Sequence, residues 1–389
     1  MGTLDPRFLA VLDEVARTEL GALDATGDAL ATQVRTLSER YTRDRDAIDH
    51  AAGTDVRAAR FRFFLPRDFL KIHWPLEELA AWGRLPTKRT WRVLDLGAGY
   101  GATGLGLAHF AATRGVERIE LVAVDRDVAA LRCLTALAER SVEAGLVPID
   151  LRAVAGNAAH PPVAGSAPFD FVLWGFVLNE MPTEGADATA HRADMLARTL
   201  AAHAPAGHGI VLEPALKHQS RALQAVRDVF AARRGPVRVV APCTHAAPCP
   251  MLAGDRDWCH EDVPVELPPA LATTAEAAGL RQAGLTYSYL TLGAAPEPHH
   301  ADDLRIVSAP LASKGKTESW ACGASGLKRL VRLDRHRDRA GVDGDAIDRA
   351  RRGAILRLDG VDRETAGERI RVEPPIASVD VLKPPGPSR

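Results

Sequence analysis

With 389 residues the chain exceeds one ordinary domain, so one large domain with attachments, or two to three domains, is expected. Hydrophobic residues make up 46%, enough for a substantial core, and the 25% charged residues nearly cancel to a formal net charge of -1. That balance excludes a chain-wide basic field and leaves nucleic-acid binding to local patches. No apolar run approaches the ~18 residues that span a bilayer. The start, Met1 to Pro6, followed by many acids, matches no secretory, transit or myristoylation signal. A cytoplasmic monomer without membrane contact is therefore expected.

Residues 1 to about 85 read as helical. Phe8, Val11, Leu12 and Val15 recur at helical spacing, as do Phe69, Ile72, Leu76 and Leu79, with Pro75 interrupting the second set. The stretch Arg57–Leu79 interleaves Arg60, Arg62, Arg67 and Lys71 with Phe61, Phe63, Phe64 and Trp74. Such mixing suits nucleic acid, but more often marks an amphipathic helix packed on a neighbour. From Arg92 the pattern changes to strands at Arg92–Leu96, Ile119–Asp125, Asp150–Ala155, Phe169–Leu173 and Gly209–Glu213. Helical segments intervene at about 102–113, 127–144, 191–203 and 217–234. Short apolar strands separated by helices predict parallel βαβ units. The interval 235–280, rich in Pro, His and Cys, interrupts this rhythm as an insertion would, and strands resume at Thr286–Leu292 and Leu304–Val307. After Cys322 a basic tract precedes short strands at Ala354–Leu358 and Arg369–Val372, and a Pro-rich end begins at Pro384.

The first strand runs into Asp95-Leu96-Gly97-Ala98-Gly99-Tyr100-Gly101, a strand-to-helix turn whose glycines let backbone approach a ligand. A Gly-x-Gly-x-x-Gly can be read from Gly99, so a dinucleotide site must be weighed. Asp95 before the first glycine favours S-adenosylmethionine, because the acid suits the ligand's ammonium and repels a pyrophosphate. Asp125 at the end of the second strand suits ribose hydroxyls, and Asn157 at the end of the third suits an adenine or is a plain turn asparagine. The fourth strand ends in Trp174-Gly175-Phe176-Val177-Leu178-Asn179-Glu180. It carries neither the Asp/Asn-Pro-Pro-aromatic motif of base-amine methylation nor the cysteine of cytosine C5 methylation. Asn179 and Glu180 are the candidate catalytic residues, orienting or deprotonating a substrate; a helix-capping role competes.

Five cysteines argue against a disulfide framework. Cys133 reads as core. Cys243, Cys249 and Cys259 follow Cys-x5-Cys-x9-Cys, with Cys322 downstream. Four thiolates fit zinc or an iron–sulfur cluster. The wide loops suit a bulkier cluster, His245 and His260 keep zinc open, and free buried thiols are the third reading.

Leu94 to Gly101, together with Pro248-Cys249-Pro250-Met251 and Asp257-Trp258-Cys259-His260, resembles the methyltransferase-like assembly factors of the mitochondrial small ribosomal subunit and their bacterial relatives. Val211-Leu212-Glu213-Pro214, Tyr287-Ser288-Tyr289-Leu290 and Arg305-Ile306-Val307 extend the likeness over roughly residues 55 to 360. The resemblance implies that Cys243, Cys249, Cys259 and Cys322 ligate a [4Fe-4S] cluster, and that the protein associates with small-subunit rRNA. If Cys322 closes the cluster, it pins the basic segment Lys328, Arg329, Arg332, Arg335, Arg337 and Arg339 against the core, where it can neutralise phosphates; the competing reading is a solvated surface balanced by Asp334 and Asp338.

The expectation is a class I S-adenosylmethionine-dependent methyltransferase (Rossmann-like) α/β fold. A helical region spans 1–85, the methyltransferase-like domain 86–320 with its insertion at about 235–280, and a basic β-rich extension 321–389. The expected function is rRNA methylation or ribosome assembly. The rivals are a non-catalytic rRNA-binding factor and a small-molecule methyltransferase with structural zinc.

Overall fold

A computed structural model describes residues 4–43, 56–163, 168–181, 187–233, 235–294, 299–336, 350–358, 368–372 and 379–383. Arg337 and Arg339, and the tail from Pro384, lie outside them.

Helix α1 (Pro6–Val15) starts where its sequence dictates. Asp5 accepts the Arg7 N–H at 2.8 Å and Pro6 fills the first turn, while Phe8, Val11, Leu12 and Val15 are buried. Helix α2 (Gly27–Arg43) follows, then a π-helical turn at Ala59–Phe64, α3 (Leu65–Asp68) and α4 (His73–Ala81). Pro75 does not break α4. It sits in the first turn, where its missing N–H has no intrahelical acceptor to lose, and the chain breaks earlier, before His73. The basic–aromatic stretch is core: Phe61, Phe63 and Phe69 are buried, and buried Arg62 is paired with Asp24 and Asp13.

The central sheet comprises β1 (Thr90–Leu96), β2 (Arg118–Asp125), β3 (Ile149–Ala155), β4 (Phe171–Gly175), β5 (His208–Pro214), β6 (Arg238–Ala241), β7 (Glu261–Glu266) and β8 (Ala283–Gly293). Helices α5 (Ala102–Ala112), α6 (Val128–Glu139), α7 (Ala188–His203), α8 (Lys217–Arg233) and α9 (Pro269–Ala277) complete it. Its order is β3-β2-β1-β4-β5-β8-β6, with β7 also on β8. Strands β1 to β5 pair in parallel, and β8 runs antiparallel between β5 and β6. A parallel sheet reversing between β1 and β4, with one antiparallel strand beside β5, is the class I methyltransferase arrangement, and the reversal opens a crevice at the strands' carboxyl ends. Alternate residues of β1 face two cores: Trp91 and Val93 join the N-terminal helices, α5 and α6, whereas Leu94 and Leu96 join α7 and α8. Both faces are covered at the centre of the sheet, so β4 and β5 are buried almost throughout, whereas β3 at the edge has no buried residue.

Two expectations need correction. The interval 235–280 is not wholly an excursion, because β6 is an edge strand of the central sheet; at four residues it is too short to show a strand period. The strand at Leu304–Val307 does not join that sheet either. As β9 (Asp303–Ile306) it lies inside a second sheet with β10 (Leu311–Ser313), β11 (Lys316–Gly323), β12 (Gly326–Leu333), β13 (Ile355–Leu358), β14 (Arg369–Arg371) and β15 (Val379–Lys383), ordered β14-β12-β11-β9-β13-β15 with β10 on β11. That sheet thus begins before the expected boundary at residue 321, with its own core of Leu304, Ile306, Ala321, Leu330, Leu356 and Ile370.

The second sheet also revises the basic segment. Arg332 is fully buried, because β12 is an inner strand and Arg332 points to its packed side, where Nη2 donates to Thr317 at 3.4 Å. It cannot reach a phosphate. Lys328 and Arg329 are half-buried and Arg335 is exposed.

One buried ion cluster welds the parts. Arg305 on β9 donates to Glu78 of α4 at 2.9 Å, to Glu261 of β7 at 2.7 Å, to Tyr289 of β8 at 2.9 Å and to the Pro242 carbonyl at 3.1 Å.

Candidate functional site

A pocket of about 540 Å³ opens at the carboxyl ends of β1, β2, β3 and β4, a size suited to a small-molecule ligand. Gly97, at φ +72°, lines its floor, where a Cβ would stand 2.4 Å from Val177. Gly101, expected as a cofactor residue, does not line it; at φ +88° it lets the turn pack on α6, where a Cβ would stand 2.3 Å from Leu134. Gly99 donates its N–H to Asp125 Oδ2 at 2.7 Å, and Asp125 Oδ1 accepts the Asp127 N–H at 2.8 Å. Gly97, Gly99, Asp125 and Asn157 all line the pocket. Burial raises the Asp125 carboxyl above its ordinary value. Asn157 Oδ1 accepts the Ala159 N–H at 2.9 Å, so this side chain shapes its turn as well as facing the pocket.

Asp95 stands elsewhere than expected. It does not line the pocket but lies beneath it, 1% exposed, with Oδ2 accepting the Gly104 N–H of α5 at 3.1 Å. A Cβ at Gly104 would approach that oxygen to 2.9 Å, so glycine there seats the helix on the acid. Burial pushes the Asp95 carboxyl up to about 7, and its Oδ1 has no hydrogen-bond partner among the described residues. The acid occupies a helix-terminal amide that a pyrophosphate would otherwise use. The lining sets Asp68, Asp125, Asp127 and Glu180 against Arg60 and Arg126, an acidic excess that suits a ligand carrying positive charge better than a dinucleotide.

At the β4 tip the two candidate catalytic residues part company. Glu180 lines the pocket, its open surface turned to the pocket and its flanks walled by protein, which pushes its carboxyl up to about 7. Asn179 does not line it. In the amide orientation that satisfies its neighbours, its nitrogen donates to the Phe176 carbonyl at 2.7 Å and Glu213 Oε2 at 3.2 Å, while its oxygen accepts from Gln219 at 3.2 Å. Asn179 thus holds Phe176, a non-glycine residue at φ +61° that faces the pocket. Such strain persists only where surrounding contacts enforce it. Buried Glu213 accepts the Leu178 N–H at 3.0 Å, and desolvation pushes its carboxyl up to about 8. Sequence reasoning also missed the pocket's cover: Tyr41, Arg60, Phe64, Leu65 and Asp68 of the N-terminal helices form one wall. Arg60 and Phe64 belong to the basic–aromatic stretch, which gave no sign of a cofactor wall, and no local motif marks Tyr41, Leu65 or Asp68.

Cys243, Cys249, Cys259 and Cys322 line one second cavity, between α8, β8 and β11. All four are free thiols, and Cys133 is buried in α6. Desolvation, then the neighbouring thiols, pushes Cys249 up to about 11 and Cys259 up to about 12, and holds Cys322 well above the ordinary thiol value. His245 Nε2 lies 3.4 Å from Cys322 Sγ. Among the described residues no three His, Cys, Asp or Glu side chains crowd closely enough for a single metal ion. One face of α8 clamps the cysteine loops. Arg221 donates to the Met251 and Asp257 carbonyls, both at 2.8 Å, and Gln224 to the Cys259 carbonyl at 3.3 Å. Arg227 donates to the carbonyls of Ala247, at 2.6 Å, and His245, and Asp228 accepts the Cys249 N–H at 3.0 Å. The 221/224/228 spacing is a helical stripe that sequence reading passes over as an ordinary polar face.

Among the described residues no helix is long and apolar enough to cross a membrane. Solved structures resemble the chain only distantly. A candidate class I S-adenosylmethionine-dependent methyltransferase from Listeria monocytogenes shares 11% identity over 75% of this chain and 87% of its own, with a TM-score of 0.36. The plantazolicin methyltransferase BamL, solved with S-adenosylhomocysteine and a desmethyl-plantazolicin analogue, shares 11% over 73% of this chain and all of its own, with a TM-score of 0.35. The N-terminal domain of human METTL16 with S-adenosylhomocysteine shares 12% over 59% and 71%, with a TM-score of 0.32. No curated protein matches the sequence. The profile of the mitochondrial small ribosomal subunit Rsm22 family matches residues 83–354, from the start of the central sheet to the edge of β13. With that match spanning well over half its length, the chain belongs to the Rsm22 family.

Proposed function

We propose that this protein binds S-adenosylmethionine in the β1–β4 pocket, carries a [4Fe-4S] cluster on Cys243, Cys249, Cys259 and Cys322, and works with the small ribosomal subunit by docking on its RNA. The observation that carries the reading is the meeting of four thiols, one of them from the second sheet, at one cavity. A tetrahedral zinc would draw thiolates in to about 2.3 Å. The same four thiols, lining one cavity, also match the four-cysteine donor set of a [4Fe-4S] cluster, the group that the family resemblance implies. The ribosomal half rests on the family description.

In the pocket, the backbone of Gly97 to Gly101 would hold the cofactor's amino-acid end, Asp125 the ribose and Asn157 the adenine. Bound there, the sulfonium supplies an electrophilic methyl group. Asp95 stays beneath the turn, bracing the start of α5. Of the two catalytic candidates Glu180, its carboxyl up to about 7, is the one that lines the pocket, where it could move a proton beside an acceptor. The Asn179 amide is committed to Phe176 and Glu213, which takes it out of any catalytic role.

Equilibrium dialysis with labelled S-adenosylmethionine, and sedimentation with purified small subunits, test this. Binding of both is expected, and Asp125→Ala should weaken cofactor binding at least tenfold. Methyl transfer to subunit rRNA that is lost in Glu180→Gln would make the protein an enzyme. Absence of cofactor binding in the intact protein would overturn the pocket assignment.

A further inference from the structure

We propose that the outer face of the second sheet, built from Trp320, Arg329, Arg369 and Arg371, is the docking platform for a single-stranded RNA segment. This rests on the reading that the protein docks on small-subunit RNA, and it assigns the contact to a surface other than the linear basic tract.

Strand registers put these residues on one face. Trp320 on β11 stands opposite Arg329 on β12, and Arg329 stands beside Arg369 on β14. The next row is Glu318, Val331 and Arg371. The alternate residues Ala321, Leu330 and Ile370 are buried in the sheet's own core, so the platform residues point away from it. The Arg329 guanidinium lies over the Trp320 ring, 4.8 Å from its centroid. Arg369 and Arg371 are exposed and Trp320 is half-buried. Glu318 is the one acid of the two rows; its hydrogen bond with Lys316, and the charges of Lys316, Arg329 and Arg369, lower its carboxyl below the ordinary value. Among the described residues of these two rows, Arg329, Arg369 and Arg371 thus stand with Glu318 beside the Trp320 ring.

That chemistry selects the partner. Arginines two residues apart along a strand are separated by about 6.6 Å, which matches the phosphate repeat of an extended strand. An arginine guanidinium backed by a tryptophan ring offers its own outer plane as a stacking surface to an unpaired base, which a duplex hides. One end of the platform abuts the cysteine cavity, because Trp320 packs with Cys322, Cys249 and Met251 in one apolar cluster. The ring that backs the stacking guanidinium is thus positioned by the same wall that carries the thiols. Arg332, buried behind, and Arg335, beyond the strand's end, stand outside this platform.

The test uses the full chain and a short labelled RNA of mixed sequence, single-stranded or annealed to its complement, followed by fluorescence anisotropy across a salt series. Trp320→Ala is expected to weaken single-strand binding roughly 5- to 100-fold, with Trp320→Phe retaining most of it. The pair Arg369→Ala and Arg371→Ala should flatten the dependence of log Kd on log salt by roughly 1.4. Arg118→Ala, on the far sheet, should change neither. Should Trp320→Ala fail to fold, the phenylalanine variant and the arginine pair carry the test. Salt-sensitive binding by the native chain that all these variants keep would overturn the platform and leave the RNA reading standing. Equal affinity for the duplex, or subunit association that survives ribonuclease, would overturn the single-strand assignment. Failure of the native chain to bind either RNA or subunits would remove the ribosomal reading, and the platform with it.

Discussion

The cofactor pocket and the cysteine cavity share one molecule but are assembled by different logic. The pocket comes mostly from consecutive strand-to-helix turns of one sheet, so topology alone brings Gly97, Asp125, Asn157 and Phe176 together. The cavity needs two sheets. Three thiols sit on loops clamped by α8, and the fourth arrives on β11 after the chain has started a second core. A site made by topology tolerates loss of one side chain, whereas a site made by docking depends on whatever holds the parts together.

The sharpest way to break this contrast is Cys322→Ser, the substitution expected to do most. Iron and labile sulfide should fall to background in anaerobic preparations, while S-adenosylmethionine affinity changes less than threefold. Iron retained at the native level would remove Cys322 from the site. Next comes Arg305→Met, which leaves Glu78 and Glu261 buried without their cation and should cost roughly 3–5 kcal/mol in urea unfolding. A loss under about 1 kcal/mol would show that the sheets are held elsewhere.

On the pocket side, Glu213 supplies a pH test. Its carboxyl ionises at about 8 in the folded protein, against 4.5 as the ordinary value. Below 4.5 both states are protonated and the group is neutral for stability. Between 4.5 and about 8 only the unfolded chain ionises, so stability falls as pH rises, and the penalty is complete above about 8. Glu213→Gln should flatten that fall by on the order of 3 kcal/mol, read from urea midpoints at pH 5 and pH 8. An unchanged slope would mean that the carboxyl ionises without penalty in the folded state. The smallest effect is expected from Asn179→Ala, which frees the Phe176 carbonyl at a cost of about 1 kcal/mol and leaves iron content untouched.

The same contrast explains what could be read from sequence. Strands β1, β2, β4 and β5 were legible because burial makes apolar runs, β3 because Ile149, Leu151 and Val154 still mark a strand at the sheet edge, and glycines mark the first turn. The four cysteines were legible as a set through resemblance, but their supports were not. Arg221, Gln224 and Asp228 look like any polar helix face until the loops they clamp are in place. Arg332 and Asn179 misled for one reason: a charged or amide side chain gives no local sign of whether it faces solvent, a pocket or a strained carbonyl. The edge strand β6 and the sheet assignment of β9 depend on partners far along the chain, which no window of periodicity contains.

The most direct test of the central claim is Mössbauer spectroscopy of the iron-57-labelled protein, purified without oxygen, beside its Cys322→Ser variant. The account expects the signature of one cubane cluster per chain in the native protein and none in the variant. A native protein that carries only zinc, or whose iron signal survives loss of Cys322, would contradict it.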